Sequence, residues 1–137
     1  MTGTNKAMMV LMTDSASPDT SLERSLFSIA GIGFRSRQCA AEEGVVAEGA
    51  GCLACIAPTA PVTRAVFDAL PELKLVTSLG ESMDHIDLEA AKEHGVWVTN
   101  VPAKSTITLE DQRRAAVINV LSWLTHGKPT NVVVVGR

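Results

Sequence analysis

The stretch from Leu70 to Pro102 leaves this chain few folds to choose from. Leu73–Leu79 is an apolar run behind Pro71, long enough for a buried strand and too short for a helix. A loop follows at Gly80–Met83. A short helix, Leu88–His94, then starts where Asp84 or Asp87 can cap it and ends where Gly95 supplies a left-handed stop. A second strand leads to the turn Asn100-Val101-Pro102. Strand, helix and strand joined this tightly must place the two strands parallel. The Gly80–Met83 loop therefore opens at a carboxyl end of the sheet, the edge where α/β proteins bind ligands.

The rest of the chain repeats the theme. Ala7–Thr13 is apolar throughout, as a central parallel strand should be, and the Ser-, Pro- and Asp-rich loop Asp14–Asp19 lies at its carboxyl end. Thr20 or Ser21 can cap a helix to about Ala30, with Leu22, Leu26, Phe27 and Ile29 facing inward. Gly31-Ile32-Gly33 ends that helix, and Phe34–Cys39 alternates like an edge strand. A short helix over Glu42–Glu48 stops at Gly49–Gly51, Leu53–Ala57 is a third strand, and Thr63 caps a helix over Arg64–Leu70. Strands alternating with helices over short joins predict one α/β domain, a doubly wound parallel sheet of the flavodoxin-like kind.

After Pro102 comes a long helix, Thr108 to Thr125, with Thr108 and Asp111 at capping-box spacing. It opens polar (Glu110 to Arg114) and becomes almost wholly apolar from Ala115 to Leu124. That second half needs cover on more than one side, from flanking elements of the chain or from a partner. Residues 1–125 make up the domain. The tail, 126–137, ends in Val132–Val135 and Gly136, like the first strand of a dinucleotide-binding unit cut off before its glycine loop.

A chain of 137 residues fits one domain with a real core. The net charge of −3 leaves no basic footprint for nucleic acid. No segment approaches the ~20 apolar residues that span a bilayer, and the polar start lacks the shape of a secretion signal, so a cytoplasmic location is expected. Cys52 and Cys55 have the spacing of half a metal or redox site. They fall in an apolar run without a second Cys/His pair, so all three cysteines read as buried structural thiols, with Cys52 and Cys55 on opposite strand faces.

Five motifs together resemble the N-terminal domain of the D-isomer-specific 2-hydroxyacid dehydrogenases. They are Pro61-Val62-Thr63, Pro71-x-Leu73-Lys74, Gly80-x-x-x-Asp84-x-Ile86-Asp87, Ala90-Ala91-x-x-x-Gly95 and Val98-x-Asn100-Val101-Pro102. The resemblance implies a flavodoxin-like strand order and a substrate carboxylate held by backbone N–H groups of the loop Gly80-Glu81-Ser82. It also implies that NAD and the catalytic Arg, acidic residue and His belong to a separate domain, with no cofactor site on this chain. A family enzyme needs about twice this length. The matching long helix lies near the family's subunit interface, which implies a homodimer through Thr108–Thr125.

The loop departs from the family pattern. Gly80-Glu81-Ser82 replaces Gly-Val-Gly, Ser78 stands where Arg is frequent, and Gln112 where His is frequent in the following helix. Substrate-binding candidates are Ser78, Leu79, Gly80, Glu81, Ser82, Asn100 and Lys104, the last as a replacement cation. Glu81 and His85 are the catalytic candidates for acid–base work. Against these stand a solvated Glu81, a structural His85, terminal helix roles for His94 and His126, and an Asn100 that bonds its own backbone in a turn. Three functions follow. One is a dimeric module binding a small carboxylic acid or a protein without turnover. Another is a non-redox lyase, isomerase or hydrolase using Glu81. The third is half of a split dehydrogenase whose nucleotide domain is a separate chain.

Overall fold

The computed structural model of the chain describes residues 8–102 and 108–137. The expected residue Ala7 of the first strand, and the loop holding Lys104, lie outside the described residues. Six strands form one sheet in the order β2-β1-β3-β4-β5-β6: β1 Met9–Met12, β2 Gly33–Ser36, β3 Ala54–Ile56, β4 Leu75–Thr77, β5 Trp97–Thr99 and β6 Val132–Val134. The first five are parallel in the expected flavodoxin-like order, and β6 pairs antiparallel with β5. The helices are α1 Ser21–Ile29, α2 Glu42–Gly49, α3 Arg64–Ala69, α4 Leu88–His94 and α5 Leu109–His126.

Side-chain alternation along each strand divides the core into two layers. Val10, Met12, Ala54, Ile56 and Leu75 point to the face covered by Phe27 of α1 and by Ala116, Val117 and Val120 of α5. Leu11, Cys55, Val76 and Val98 point to the other, covered by Val45, Val66, Phe67, Ala90 and Ala91 of α2, α3 and α4. Both faces of the central strands are thus buried, which is why they carry no polar alternation. In the apolar half of α5, Ala116, Val117 and Val120 are buried against the sheet, Leu121, Trp123 and Leu124 are partly buried, and Ile118 is exposed, as is Leu109 in the first turn.

Stops and caps follow the sequence in α4 and α5. Asp87 accepts the Ala90 N–H at 2.9 Å, Thr108 Oγ1 accepts that of Asp111 at 3.0 Å, and Gly95 and Gly127 take φ of 71° and 76°. Thr20 and Thr63 make no capping bond; the Thr63 hydroxyl donates to Glu42 and ties α3 to α2 instead. The second strand is shorter than expected. Past Ser36 the chain leaves the sheet, and the Cys39 N–H donates to the Thr13 carbonyl at 2.7 Å in a loop crossing. The valine tail, expected to resemble an entry strand of another unit, is here the antiparallel edge of this sheet. Asn131 turns the chain into it at φ 55°, a conformation that asparagine tolerates better than most residues.

All three cysteines are buried free thiols. Cys52 and Cys55 belong to the same core layer, against the opposite-face expectation, because Cys52 precedes β3 and does not follow its alternation. Burial pushes all three thiols above the ordinary value, and neighbouring thiols raise Cys55 further. The sign of the pH effect follows. The folded state keeps these protons while the unfolded chain loses them above about pH 8.5, so unfolding releases protons there. Stability is therefore complete below that pH and falls as pH rises, by at most ~1.4 kcal/mol per thiol per pH unit. The chain has no tyrosine to titrate in the same range. Urea midpoints between about pH 8 and 10 should fall for the wild type and fall less steeply for Cys55→Ala.

Candidate functional site

The loops after β1, β3 and β4 end at one edge of the sheet, where parallel topology collects them. Between them and the first turn of α5 lies a cavity of about 460 Å³, lined by Asp14, Ser15, Ala16, Pro58, Thr59, Leu79, Gly80 and Gln112. That size lies within the roughly 300–1,000 Å³ of small-molecule sites.

Asp14 builds the wall. Its carboxylate accepts from the Thr13 hydroxyl at 2.8 Å, the Thr59 N–H at 3.3 Å, the Ala60 N–H at 3.1 Å and the Thr59 hydroxyl. These bonds join the β1 and β3 loops across forty-five positions of sequence. Gln38 braces the first loop by accepting from the Ser15 N–H at 3.1 Å and donating to the Ser15 carbonyl at 3.0 Å.

The β4 loop is shaped from within. Ser78 is buried, and its hydroxyl donates to the Ser82 carbonyl at 2.9 Å and accepts the Gly80 N–H at 3.4 Å. The Gly80 carbonyl accepts from the Val101 N–H at 3.1 Å. With its carbonyls drawn back into the fold, the loop leaves the N–H groups of Leu79, Glu81 and Ser82 with no acceptor among the described residues. An added Cβ at Gly80 would meet nothing, so the backbone there is open to approach.

The expected site residues are placed unequally. Leu79 and Gly80 line the cavity, and Ser78 lies beneath them holding the loop in shape. Glu81 and Ser82 are exposed, and neither lines the cavity. The Glu81 side chain has no hydrogen-bond partner among the described residues. His85 places a ring nitrogen 2.6 Å from the Ala57 carbonyl, which pins the loop to the end of β3. Asn100 does not bond its own backbone. Its amide reaches the Glu81 carbonyl at 3.5 Å, while its own carbonyl accepts from Asn119 at 3.0 Å. Lys104 lies outside the described residues. His94 bridges two helices, with one ring nitrogen 2.8 Å from the Ala90 carbonyl and the other 2.8 Å from Asp68.

Asp14, Thr59 and Gln112 were missed as lining residues. The signal for Asp14 and Thr59 was present, since both sit in loops that follow strands at the carboxyl edge. For Gln112 it was the family resemblance, which marks its position as one where His is frequent. Among the described residues no cluster could hold a metal ion, and no helix is long and apolar enough to cross a membrane.

Residues 36–134 match the family model for the D-isomer specific 2-hydroxyacid dehydrogenase catalytic domain. The glyoxylate reductase of Korarchaeum cryptofilum is 38% identical over 53 residues, 39% of this chain and 16% of that protein. Human D-3-phosphoglycerate dehydrogenase is 31% identical over 100 residues, 72% of this chain and 18% of that protein. The apo structure of D-lactate dehydrogenase from Escherichia coli shares the fold with a TM-score of 0.62 at 22% identity, over 70% of this chain and 31% of that one. The chain thus spans less than a fifth of these two curated relatives and under a third of the solved one.

Proposed function

Because the chain belongs to the D-isomer specific 2-hydroxyacid dehydrogenase family, we propose that it is a small-carboxylate-binding α/β module whose ligand sits in the cavity at the carboxyl edge of the sheet. The observation carrying this reading is the β4 loop. Its Leu79, Glu81 and Ser82 N–H groups have no described protein acceptor, and its Leu79 and Gly80 line the cavity. Neighbouring amides with no described protein acceptor are donors that an anion can use. Gln112, half-buried in the wall, supplies neutral hydrogen-bonding capacity for a ligand hydroxyl or carbonyl. Lys104 is the proposed additional cation for the carboxylate.

Family members bind NAD, and the described residues do not fit it. A dinucleotide needs a glycine loop that runs from a parallel strand into a helix N-terminus. The glycine after β6 follows an antiparallel edge strand, and an added Cβ there would lie 2.4 Å from the Trp97 ring, so it packs against the sheet and forms no open cradle. Hydride chemistry would need a nucleotide-binding unit outside these residues.

The test is amide NMR of the whole chain titrated with a small 2-hydroxy acid. Shifts concentrated at Leu79–Ser82 and the Gln112 side chain are expected, saturating in the millimolar range. Shifts spread evenly over the surface would sink the reading. A homodimer through α5 is also proposed, with Leu109 and Ile118 as the exposed apolar residues available to it; the mass in solution decides that separately.

A further inference from the structure

Resting on the carboxylate reading, we propose that the cavity selects an acid with one negative charge and an uncharged tail, and rejects one carrying a second anionic group such as a phosphate ester. The charges around the cavity carry this. Asp14 is the single charged side chain among the eight that line it. Its carboxylate is locked in the wall by two hydroxyls and two backbone N–H groups, so it cannot swing away from a second anion. Glu81, on the rim loop, adds another exposed carboxylate.

The described cations nearby are engaged elsewhere. Arg113, beside Gln112 in sequence, is clamped by Glu23 and the Asp19 carbonyl. Arg114 lies against Glu110 and Asp111. His85 is turned to the Ala57 carbonyl. The loop amides can serve one carboxylate. Apart from Asp14 and Gly80, the lining offers a ligand tail only Ala16, Pro58 and Leu79 with the neutral polar groups of Ser15, Thr59 and Gln112. A phosphate dianion there would be stripped of water beside Asp14 with no counter-charge among the described lining residues and with Lys104 already assigned to the carboxylate, whereas a hydroxyl or a short alkyl group fits both the polarity and the size.

The experiment compares D-glycerate with 3-phospho-D-glycerate, which differ only by the phosphate, in calorimetric titrations of the whole chain at matched ionic strength. Glycerate should bind at least about tenfold more tightly. Added salt should strengthen the binding of the phosphorylated acid by screening repulsion, and Asp14→Asn should narrow the ratio between the two. Should that variant fold poorly, Glu81→Gln, which alters an exposed side chain with no hydrogen-bond partner among the described residues, narrows the ratio by a smaller amount. Phosphoglycerate binding as tightly as glycerate would overturn this inference and leave the carboxylate reading intact. Binding by neither acid would overturn both.

Discussion

Glu23→Ala should cost the fold about 3–5 kcal/mol, the usual consequence of stripping a buried charge of its partner. The Glu23 side chain is 1% exposed and the Arg113 side chain 12%. The guanidinium meets the carboxylate with two parallel bonds of 2.6 Å and spends a third, of 2.7 Å, on the Asp19 carbonyl. This fork holds α1 against α5 over the sheet face that Phe27 and Val117 cover. Without Glu23 a desolvated cation has no counter-charge, and α1 loses its polar anchor. Arg113→Ala should be at least as harmful, because Glu23 is the more buried of the two. Replacing both at once, Glu23→Leu with Arg113→Met, should recover most of the loss, since a buried pair seldom outperforms apolar packing of similar volume. Urea unfolding of the four proteins gives the comparison directly. A single-variant loss under about 1 kcal/mol would mean that water reaches the pair and screens it. Against a typical total of about 5–15 kcal/mol, the expected loss is large enough to unfold part of the population.

Asn119→Ala should cost about 2–4 kcal/mol and release the sheet edge. Asn119 is buried and uses both ends of its amide. The nitrogen donates to the Thr77 hydroxyl at 3.2 Å and the Asn100 carbonyl at 3.0 Å. The oxygen accepts from the Thr130 hydroxyl and from the Asn131 side chain at 3.2 Å. One residue of α5 thus ties the ends of β4 and β5 to the turn that launches β6. Removing it takes a partner from the wholly buried Thr77 hydroxyl, which keeps only its bond to the Ser78 carbonyl, and frees the half-buried Asn100 carbonyl and the Thr130–Asn131 turn. Hydrogen exchange should show Val132–Val134 losing protection before the central strands do. Asn119→Leu separates volume from polarity: it fills the space and makes none of the bonds. If leucine restores full stability, the network is incidental and only the packing mattered.

Much of the fold was legible because its signals are local. The apolar runs at Val10, Ala54 and Leu75 are too short for helices, and Gly95 and Gly127 stop helices wherever a left-handed residue is needed. Asp87 and Thr108 cap the helices that follow them. The carboxyl-edge position of the loop at Gly80 followed from chain direction alone, since parallel strands cannot be joined otherwise. Part of the site was legible on the same ground, which is why Leu79 and Gly80 were anticipated and do line the cavity. Glu81 attracted attention by its chemistry, and the fold leaves its side chain exposed and outside the cavity lining, a placement that depends on how the loop turns and is not carried by the residue type.

What the sequence by itself determined, then, is the alternation of elements, their direction and the edge of the sheet that carries the site. Pairings across the fold were decided by tertiary structure. Arg113 sits in a helical turn of charged residues that looks solvated, yet its partner Glu23 is ninety positions away and reaches it only once α1 and α5 share a sheet face. Asn119 lies in an apolar run and looks misplaced until the turn at Thr130 folds over it. The final valines suit a parallel or an antiparallel edge equally well, and the return of α5 along the sheet chose the second. Asp14 and Thr59 meet because β1 and β3 are neighbours in the sheet. Periodicity records the environment of one segment. Which distant segment completes that environment depends on chain closure and layer packing, and those exist only in the assembled fold.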